Sequence, residues 1–417
     1  MHRYQSDIDN SAILYLALIR KDHTNIFRFT LTMTEEVQPE PLQEAVNRVH
    51  RRFPMMLAGF RPGFFKYTQV QAEQPPQVKP DPGCLITMTR EEIASCAYRV
   101  YYRDNLIIIE GFHALSDGYG IVASFTTLAA EYLTLRYGLE IPRGYPVLNC
   151  REEATEAELE DSYLKYADAK PLHMPSRYSY QLPGREAPHD VIHEAPVYIP
   201  VADVLAAARR HGVSMTALLS AVMATSVMEV QKLSSDKKMA PVRIMVPIDL
   251  RRIFPSQTLR NFILYALPTM EPGEENLPIR DLAAKFSGQI KAHLQKENLA
   301  GIIAYNVKTQ ASPLFKILPS SLKCWLMRLA YRFFGESNSS ITFTNLGNIA
   351  LPEMMLPYVK DIRLTMTPRA RSPYNCGMFT YNGQFFMNLC RFPEESRLEE
   401  IFFARLQEVI YGSEERE

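Results

Sequence analysis

Along the first half of the chain, the apolar positions predict a β-hairpin that leads into a helix. Residues 106–109 are four apolar and mostly β-branched residues in a row, which is typical of a buried strand. A turn signal at 104–105 precedes them, and residues 99–102 predict the partner strand. Beyond Gly118 the apolar residues recur at spacings of three and four, which predicts a helix that ends near Gly138.

The link between the predicted strand and the predicted helix carries the clearest chemistry. His113 ends the strand, and Asp117 lies on the turn into the helix, directly before Gly118. A His and an Asp at this spacing occur by chance in many chains, and a lone buried His is more often structural than catalytic. The strand–turn–helix setting and the following Gly make a chance match less frequent. The setting also suits catalysis, because proton transfer needs a base that rigid elements hold in place. His113 is therefore the candidate base.

In the second half, the apolar pattern predicts helices and strands in alternation. We expect helices at 202–210 with Gly212 as its C-cap, from Ser214 to about Lys232, at 282–295 and at 398–410. We expect strands at 242–246, 340–343, 377–381 and 384–389, the last two joined by the hairpin turn Asn382-Gly383. Because both halves mix the two kinds of element, the predicted class is α/β.

A segment rich in proline separates the two halves. Five prolines punctuate residues 170–197, and their polar surroundings favour an extended connection over a packed element. The acidic stretch before it, at 152–169, predicts a solvated helix or a loop cover. With 417 residues, the chain suits two domains of about two hundred residues each.

Composition and charge exclude several classes of function. Lysine plus arginine and aspartate plus glutamate both number 46, so the basic excess that nucleic-acid binding needs is missing. The first residues lack the apolar core of a signal peptide, and no apolar run approaches the length of a membrane span. The six cysteines are scattered without a Cys-x-x-Cys pair, so we expect free thiols and a cytoplasmic location.

Residues 110–118 resemble the His-x-x-x-Asp-Gly signature of the CoA-dependent acyltransferases, which include chloramphenicol acetyltransferase, condensation domains and alcohol acetyltransferases. Other motifs of this superfamily are similar to further segments, in family order: residues 41–54, 210–219, 246–252 with 260–262, and 341–352. Phe112 stands where many members have a second His, and Arg260 stands where Gly is usual. The first departure disfavours a condensation domain, so the stand-alone alcohol acetyltransferases are the most similar group.

The resemblance implies a fold and a domain arrangement. Members of the superfamily have two chloramphenicol-acetyltransferase-like subdomains that form a pseudo-dimer, with an active-site tunnel between them. For this chain it implies an N-terminal subdomain at 1–175, a C-terminal subdomain at 176–417 and a crossover segment near 340–375. The loop that carries His113 would lie at the middle of the tunnel.

The resemblance also implies a supporting role for Asp117. In the family this carboxylate pairs with an arginine and holds the catalytic loop, rather than relaying a proton. Arg251 is the first candidate partner and Arg252 the second. A buried carboxylate without such a partner would cost several kcal/mol.

Three further residues are implied to lie near the reacting atoms. Gly118 would let the backbone approach other groups closely and leave room for the thioester. The oxyanion of the tetrahedral intermediate needs a hydrogen-bond donor. Ser116, Asn345 or a backbone N–H could provide it, and the sequence does not choose among them.

The implied function is transfer of an acyl group, expected to be short, such as acetyl, from acyl-CoA to a hydroxyl acceptor. His113 would be the general base, because neutral imidazole takes a hydroxyl proton near neutral pH. No Gly-x-Ser-x-Gly segment is present, so we expect no covalent acyl-enzyme. Acyl-CoA would be a co-substrate, and we expect no permanently bound cofactor or metal.

Alternatives of other kinds stay open. The donor could be the thioester of an acyl carrier protein that acts in trans, as with enzymes associated with polyketide or peptide synthetases. An amine could replace the hydroxyl in an amide-forming condensation enzyme, since it needs the same base. The chain could also be a non-catalytic binding protein on the same fold. We expect a monomer whose acceptor is a small molecule.

Two sequence patterns resemble a metal site and a phosphate-binding site, but each has a simpler structural explanation. His189 and His193 have metal-like spacing, but prolines bracket them, so a metal site is not expected. Arg369 and Arg371 could bind a CoA phosphate, although a solvated loop is the preferred expectation.

Residues 323–334 form a basic amphipathic stretch with the only tryptophan, Trp325. Such a stretch could touch a membrane or an apolar substrate. A buried helix at the domain edge is the preferred expectation.

Overall fold

The structure is a computed structural model in which residues 4–20, 24–183, 191–234, 239–369 and 372–412 are described. Strands and helices alternate along the chain, which confirms the α/β class.

The strands are β1 (Gln5–Asp7), β2 (Ile26–Met33), β3 (Ala58–Pro62), β4 (Tyr67–Gln71), β5 (Lys79–Pro80), β6 (Tyr98–Arg103), β7 (Leu106–Phe112), β8 (His193–Pro200), β9 (Val242–Asp249), β10 (Ile263–Ala266), β11 (Thr269–Met270), β12 (Ile341–Asn348), β13 (Val359–Met366), β14 (Tyr374–Tyr381) and β15 (Gln384–Arg391). The α-helices are α1 (Ala12–Ala17), α2 (Pro39–Arg52), α3 (Arg90–Ser95), α4 (Gly118–Tyr137), α5 (Glu156–Leu159), α6 (Ser162–Lys165), α7 (Val201–Arg210), α8 (Met215–Leu233), α9 (Ile279–His293), α10 (Lys296–Gln310), α11 (Pro313–Ile317), α12 (Ser320–Ala330) and α13 (Arg397–Tyr411).

The first sheet carries the strand that leads to His113. Its five strands follow the order β13-β2-β7-β6-β5. Strands β6 and β7 pair antiparallel across the predicted turn, which confirms the hairpin. Asp104 in that turn has a φ of 49°, a left-handed conformation that Asp tolerates. Helix α4 follows the loop that carries His113 and ends at Gly138, whose φ of 68° closes the helix as predicted.

The second sheet is built from residues 193–391. Its strands follow the order β10-β9-β12-β14-β15-β8, and β11 also pairs with β9. Asn382 and Gly383 have φ values of 46° and 77° and form the predicted two-residue turn between β14 and β15. The Ser214 hydroxyl accepts from the Ala217 N–H, which confirms Ser214 as the cap of α8.

One strand of the first sheet comes from the second half of the chain. Strand β12 pairs in parallel with β9 and with β14 in the second sheet. Between β12 and β14, the chain crosses to the first sheet, where β13 pairs antiparallel with β2. This excursion lies within the crossover segment expected near 340–375. A subdomain boundary between residues 175 and 176 stays a prediction.

Each sheet has its own buried core. Phe29 stacks on Phe125 of helix α4, with ring centroids 4.4 Å apart, in the cluster against the first sheet. Phe343 and Phe402 belong to the cluster against the second sheet. A smaller cluster around Phe262 lies next to the segment that follows β9. A third, three-stranded sheet has the order β1-β4-β3.

The connection between the halves differs from the prediction at both of its ends. Residues 193–200 form β8 at the edge of the second sheet, so this part of the proline-rich segment is not an open connection. An edge strand tolerates proline because one side of it has no pairing partner. Residues 152–169 contain two single-turn helices, α5 and α6. Glu158 of α5 forms an ion pair with the buried Arg52 at 2.6 Å, so this stretch is more than a solvated cover.

Within the described ranges, no single helix has both the length and the hydropathy of a membrane span. Helices α7 and α8 pass that test only when taken together, across a bend of 82°.

Gly383→Ala tests the turn between β14 and β15. Alanine is strained at a φ of 77°, so the free energy of unfolding should fall by about 1 kcal/mol. The matched control is Gly288→Ala in α9, where nothing lies within 4 Å of an added Cβ. Helix propensity predicts a gain of about 0.5–1 kcal/mol there. Urea unfolding measures both changes, and a loss of similar size in both variants would contradict the turn conformation.

Candidate active site

His113 lies where strand β7 leaves the first sheet. Its backbone N–H donates to the Asn25 carbonyl at 2.9 Å, which fixes the main chain. The imidazole stacks on the Tyr15 ring of α1, with centroids 4.6 Å apart and an angle of 12° between the planes. The Phe27 ring meets the imidazole edge-on at 6.2 Å. Contacts with two aromatic rings therefore restrict the orientation of the imidazole.

The His113 imidazole is enclosed, but it is not sealed from solvent. The residue is half-buried, and its Nδ1 is buried without a hydrogen-bond partner among the described residues. Burial lowers the pKa of His113, against smaller opposing effects of its own backbone carbonyl and of Asp117. The ring is therefore neutral at neutral pH, which is the form that accepts a proton.

Asp117 caps helix α4 with a carboxylate that is almost fully buried. Its Oδ1 accepts from the Tyr119 N–H at 3.0 Å. Its Oδ2 accepts from Nη1 of Arg251 at 2.8 Å and from the Phe262 N–H at 2.7 Å. The first candidate partner is thus in place, whereas Arg252 is exposed to solvent.

The Arg251 guanidinium ties the loop to the segment after β9. Its Nε donates to the Thr258 carbonyl at 2.8 Å, and its Nη2 donates to the Arg260 carbonyl at 2.6 Å. Its Nη1 also donates to the Asp249 carboxylate at 3.0 Å. Burial lowers the pKa of Arg251, but Asp117 and Asp249 outweigh that effect and raise the pKa overall. A buried cation with this many acceptors is a rigid anchor.

Residues 258–262 hold the His113 loop through two further contacts. The Asn261 side chain donates to the Ala114 carbonyl at 3.1 Å. The Ser116 hydroxyl donates to the Leu259 carbonyl at 2.6 Å, and Ser116 is completely buried. The expectation that Ser116 could stabilise the oxyanion is therefore wrong, because its hydroxyl already bonds to the neighbouring segment and has no open side.

Arg260 stands where the superfamily usually has Gly, and it reaches into the N-terminal segment. Its buried guanidinium donates to the Asp7 carbonyl at 2.6 Å and to the Ser6 hydroxyl at 3.2 Å. Its Nε lies 3.9 Å from the Asp9 carboxylate. Burial raises the pKa of Asp9, and Arg260 opposes that rise. The larger side chain is accommodated because residues 6–9 supply acceptors and a counter-charge.

Asp9 extends the same network to the helix whose Tyr15 ring stacks on His113. Its Oδ1 accepts from the N–H groups of Ser11 at 3.0 Å and Ala12 at 2.9 Å, so it starts helix α1. Helix α1 carries Tyr15, which stacks on His113. No sequence signal singles out Tyr15, because it is one aromatic residue in a short apolar helix.

Two glycines allow close approach around the loop. A Cβ at Gly118 would lie 2.4 Å from Cδ2 of Leu346, and a Cβ at Gly120 would lie 2.1 Å from the Leu259 carbonyl oxygen. A side chain at Gly120 would meet backbone that cannot move aside, whereas a side chain at Gly118 would have to displace the Leu346 side chain. The structural reason for Gly118 is thus contact with β12, whereas room for a thioester stays a prediction.

Asn345 lies next to Leu346 on β12. Its side-chain amide donates to the Thr216 hydroxyl at 3.1 Å and accepts from the Gly347 N–H at 2.9 Å. These contacts hold the amide in place. Its role as the oxyanion donor stays a prediction.

Phe112 belongs to the core rather than to the site. Its side chain is completely buried, and its ring meets Phe60 edge-on at 6.0 Å. A His at this position would bury an imidazole among aromatic side chains, which is costly without a partner.

The structure adds little support to the metal pattern at His189 and His193 or to the arginine pair at 369 and 371. The described residues contain no group of three His, Cys, Asp or Glu side chains that could hold a metal. His193 lies in β8, and His189 lies outside the described residues. Arg369 lies in a loop, as expected, but it is half-buried and donates to the Ser339 hydroxyl at 2.7 Å. Arg371 lies outside the described residues.

Helix α12 contains most of the basic amphipathic stretch, and it is not the buried helix that we expected. The Trp325 side chain is 55% exposed, and of this helix only Lys323 and Cys324 are buried. Periodicity identifies an apolar face but does not reveal whether another element covers it.

Solved structures with the same two-lobed fold cover almost the whole chain. Polyketide synthase associated protein 5 from Mycobacterium tuberculosis matches with 15% identity and a TM-score of 0.62, over 97% of each chain. F. graminearum TRI101, complexed with ethyl coenzyme A, matches with 12% identity and a TM-score of 0.64, over 97% of each chain. Trichothecene 15-O-acetyltransferase TRI3 from Fusarium sporotrichioides matches with 10% identity and a TM-score of 0.61, over 98% of this chain and 95% of that one.

These likenesses show that the chain has the chloramphenicol-acetyltransferase-like fold that the sequence resemblance implied. At such low identity they concern the fold alone, because one fold hosts many functions. No family model matches the chain, and no curated protein matches it.

Asp117→Ala tests the anchor of the loop. Removing the carboxylate leaves the buried Arg251 charge short of a partner, so the free energy of unfolding should fall by about 3 kcal/mol. The control is Arg61→Ala, which removes an exposed ion pair with Glu73 and should change stability far less. Chemical denaturation compares the two variants, and equal effects would show that Asp117 is not an anchor.

Proposed function

We propose that the protein is an acyl-CoA-dependent O-acyltransferase in which His113 is the general base. One observation carries the proposal: a neutral, half-buried imidazole ends a strand, on a loop that the Asp117–Arg251 ion pair holds in place. An alcohol is a poor nucleophile near neutral pH, so its attack on a thioester needs such a base.

In this proposal the chemistry belongs to Nε2 of His113, because Nδ1 is buried. As the acceptor oxygen attacks the thioester carbonyl carbon, Nε2 takes the hydroxyl proton and a tetrahedral intermediate forms. When the intermediate collapses, the C–S bond breaks, and the imidazolium returns the proton to the leaving CoA thiolate. The base is then neutral again, and no covalent acyl-enzyme forms.

Asp117 supports this chemistry as a positioning residue. Its oxygens are bonded to Arg251 and to the backbone N–H groups of Tyr119 and Phe262, so the carboxylate holds the loop and does not relay a proton. Tyr15 supports the other side of the imidazole through ring stacking. A base that is fixed before the substrate arrives loses little entropy in the transition state.

The structural neighbours support the donor and the acceptor that we propose. One of them is complexed with ethyl coenzyme A, and another is named a 15-O-acetyltransferase. From these neighbours and from the His-x-x-x-Asp-Gly signature, we infer three features of the reaction of this chain. The donor is acyl-CoA, the acyl group is short, and the acceptor is a hydroxyl group.

A carrier-bound acyl donor is the second candidate, favoured by the likeness to polyketide synthase associated protein 5. Thiol release from acetyl-CoA is followed with a panel of alcohols and, in parallel, with an acyl-loaded carrier protein. Release with the carrier alone would replace the first proposal by the second. Amine acceptors in the same panel test the amide-forming variant.

His113→Ala should lower kcat by about 10²–10⁴ while the fold survives, because this is the usual size of general-base assistance. The measurement is thiol release from acetyl-CoA with the best alcohol of the panel, and circular dichroism checks the fold. His173→Ala is the matched control, since His173 is exposed and should leave kcat unchanged.

Equal activity of the His113→Ala variant and the wild type would remove His113 as the base. If neither protein releases thiol with any donor, while ligand binding persists in both, the chain is a binding protein on this fold.

The lowered pKa of His113 predicts the acidic limb of the pH–rate profile. Protonation removes the base, and a lowered pKa moves this loss to lower pH. At about pH 6.5 an ordinary His is half protonated, so kcat/KM of this protein should still exceed half of its maximum there. A limb centred at or above about pH 6.5 would contradict the burial of the ring.

A further inference from the structure

One surface of the protein exposes far more hydrocarbon than its surroundings. We call it the α12 face and define it by the exposed apolar side chains on α11, on α12 and in the β3–β4 turn: Phe64, Phe65, Leu314, Ile317, Leu322, Trp325, Leu326 and Leu329. Leu314 is 78% exposed, Phe64 is 71% exposed and Ile317 is 66% exposed. Scattered apolar residues are normal on a surface, but a contiguous group of this size indicates a binding surface.

Hydrogen bonds show that the two parts of the α12 face are contiguous. The Ser320 N–H donates to the Phe64 carbonyl at 2.7 Å, and the Ser320 hydroxyl donates to the Gly63 carbonyl at 2.6 Å. The buried Lys323 ammonium donates to the Phe65 carbonyl at 2.6 Å. The two phenylalanines therefore lie against the start of α12.

Helix α12 is fixed to the body of the protein by its other side. Arg328 donates to the carbonyls of Ala17 at 2.9 Å and Ile19 at 3.2 Å, at the end of helix α1. Cys324 is buried. The exposed apolar side chains therefore project from a docked helix, and the other side of that helix meets the protein.

Cations predominate along the helices of the α12 face, although Asp7, which pairs with Lys66, lines a cavity together with Lys316. Residues 298–335 include five lysines and arginines and neither aspartate nor glutamate. Lys316, Arg328 and Arg332 are exposed. Among the described residues, none of these three forms an ion pair with a carboxylate. Hydrocarbon flanked by uncompensated cations complements a surface with anionic groups above an apolar interior.

We propose that the α12 face binds the surface of a phospholipid bilayer that contains anionic lipids. Its Phe and Trp side chains enter the boundary between headgroups and acyl chains, and Lys316 and Arg332 lie among the headgroups. A bilayer fits better than a protein partner, because a protein interface has about one hydrogen bond per 100–200 Å², and this face presents mainly hydrocarbon and cations.

A single helix, α1, connects the proposed bilayer contact to the candidate base, His113. Helix α12 is bonded to the end of α1, and α1 carries the Tyr15 ring that stacks on His113. The binding itself does not depend on the proposed acyl transfer, so each can be tested without the other.

Trp325 provides a direct probe, since it is the only tryptophan and it is 55% exposed. The full chain is mixed with vesicles of phosphatidylcholine alone or with about one third phosphatidylglycerol, and binding is measured by flotation. We expect flotation with the anionic vesicles and a shift of Trp325 emission to shorter wavelength. Lipids brominated on the acyl chains should quench that emission.

Two variants keep the probe and change the face. Phe64→Ser/Leu314→Ser/Ile317→Ser should weaken partition into anionic vesicles by about ten-fold or more, because it removes inserted hydrocarbon. Lys316→Glu/Arg332→Glu should weaken it by a similar factor at low salt and by less at high salt. The matched control is Leu164→Ser/Leu205→Ser/Leu233→Ser, which removes three exposed apolar side chains outside the face and should bind as the wild type does.

Three results would each overturn the proposal. One is flotation that does not depend on anionic lipid. Another is an equal loss of binding in the control variant, which would mean that exposed apolar side chains anywhere on the protein adsorb non-specifically to vesicles. The third is absence of flotation with the anionic vesicles; specific binding of an acidic acyl carrier protein to this face would then assign the surface to a protein partner.

Discussion

The buried ion pair between Asp117 and Arg251 is the interaction on which the rest of the site depends. It joins the start of α4, next to the first sheet, to the segment that follows β9 in the second sheet. A buried carboxylate and a buried guanidinium are each costly alone, so either one is stable only when the two sheets meet in this register. The position of His113 is thus a consequence of the packing between the two halves.

Three distant parts of the chain meet around His113. Residues 113–118 supply the imidazole, residues 249–262 hold the loop, and residues 6–15 supply the stacking ring. Arg260 links the second part to the third, with Asp9 as its counter-charge. The ring is enclosed enough to lower its pKa but is still reached by solvent, which are the two properties that a general base for an alcohol needs.

Two buried arginines are paired with carboxylates, whereas, within the described ranges, the exposed cations of the α12 face are not. In the interior, Arg28 is paired with Asp81 and Glu110, and Arg251 with Asp117 and Asp249. On the α12 face, the exposed cations have no such partners among the described residues. Buried charges need partners to be stable, whereas exposed cations are stabilised by water and stay available for an external ligand. This contrast supports a binding role for the face.

The sequence by itself predicted many of the elements and identified His113 as the candidate base. Short-range signals predicted the hairpin before His113, the helix ending at Gly138 and the Asn382-Gly383 turn, because periodicity, capping and turn chemistry act between near neighbours. The Asp117–Arg251 pair came from the resemblance to the superfamily. Only the tertiary structure decided that the Ser116 hydroxyl bonds inward, that Tyr15 stacks on the base, that residues 193–200 pair as an edge strand and that Trp325 is uncovered. Those outcomes depend on which distant segments come together, and local pattern carries no information about them.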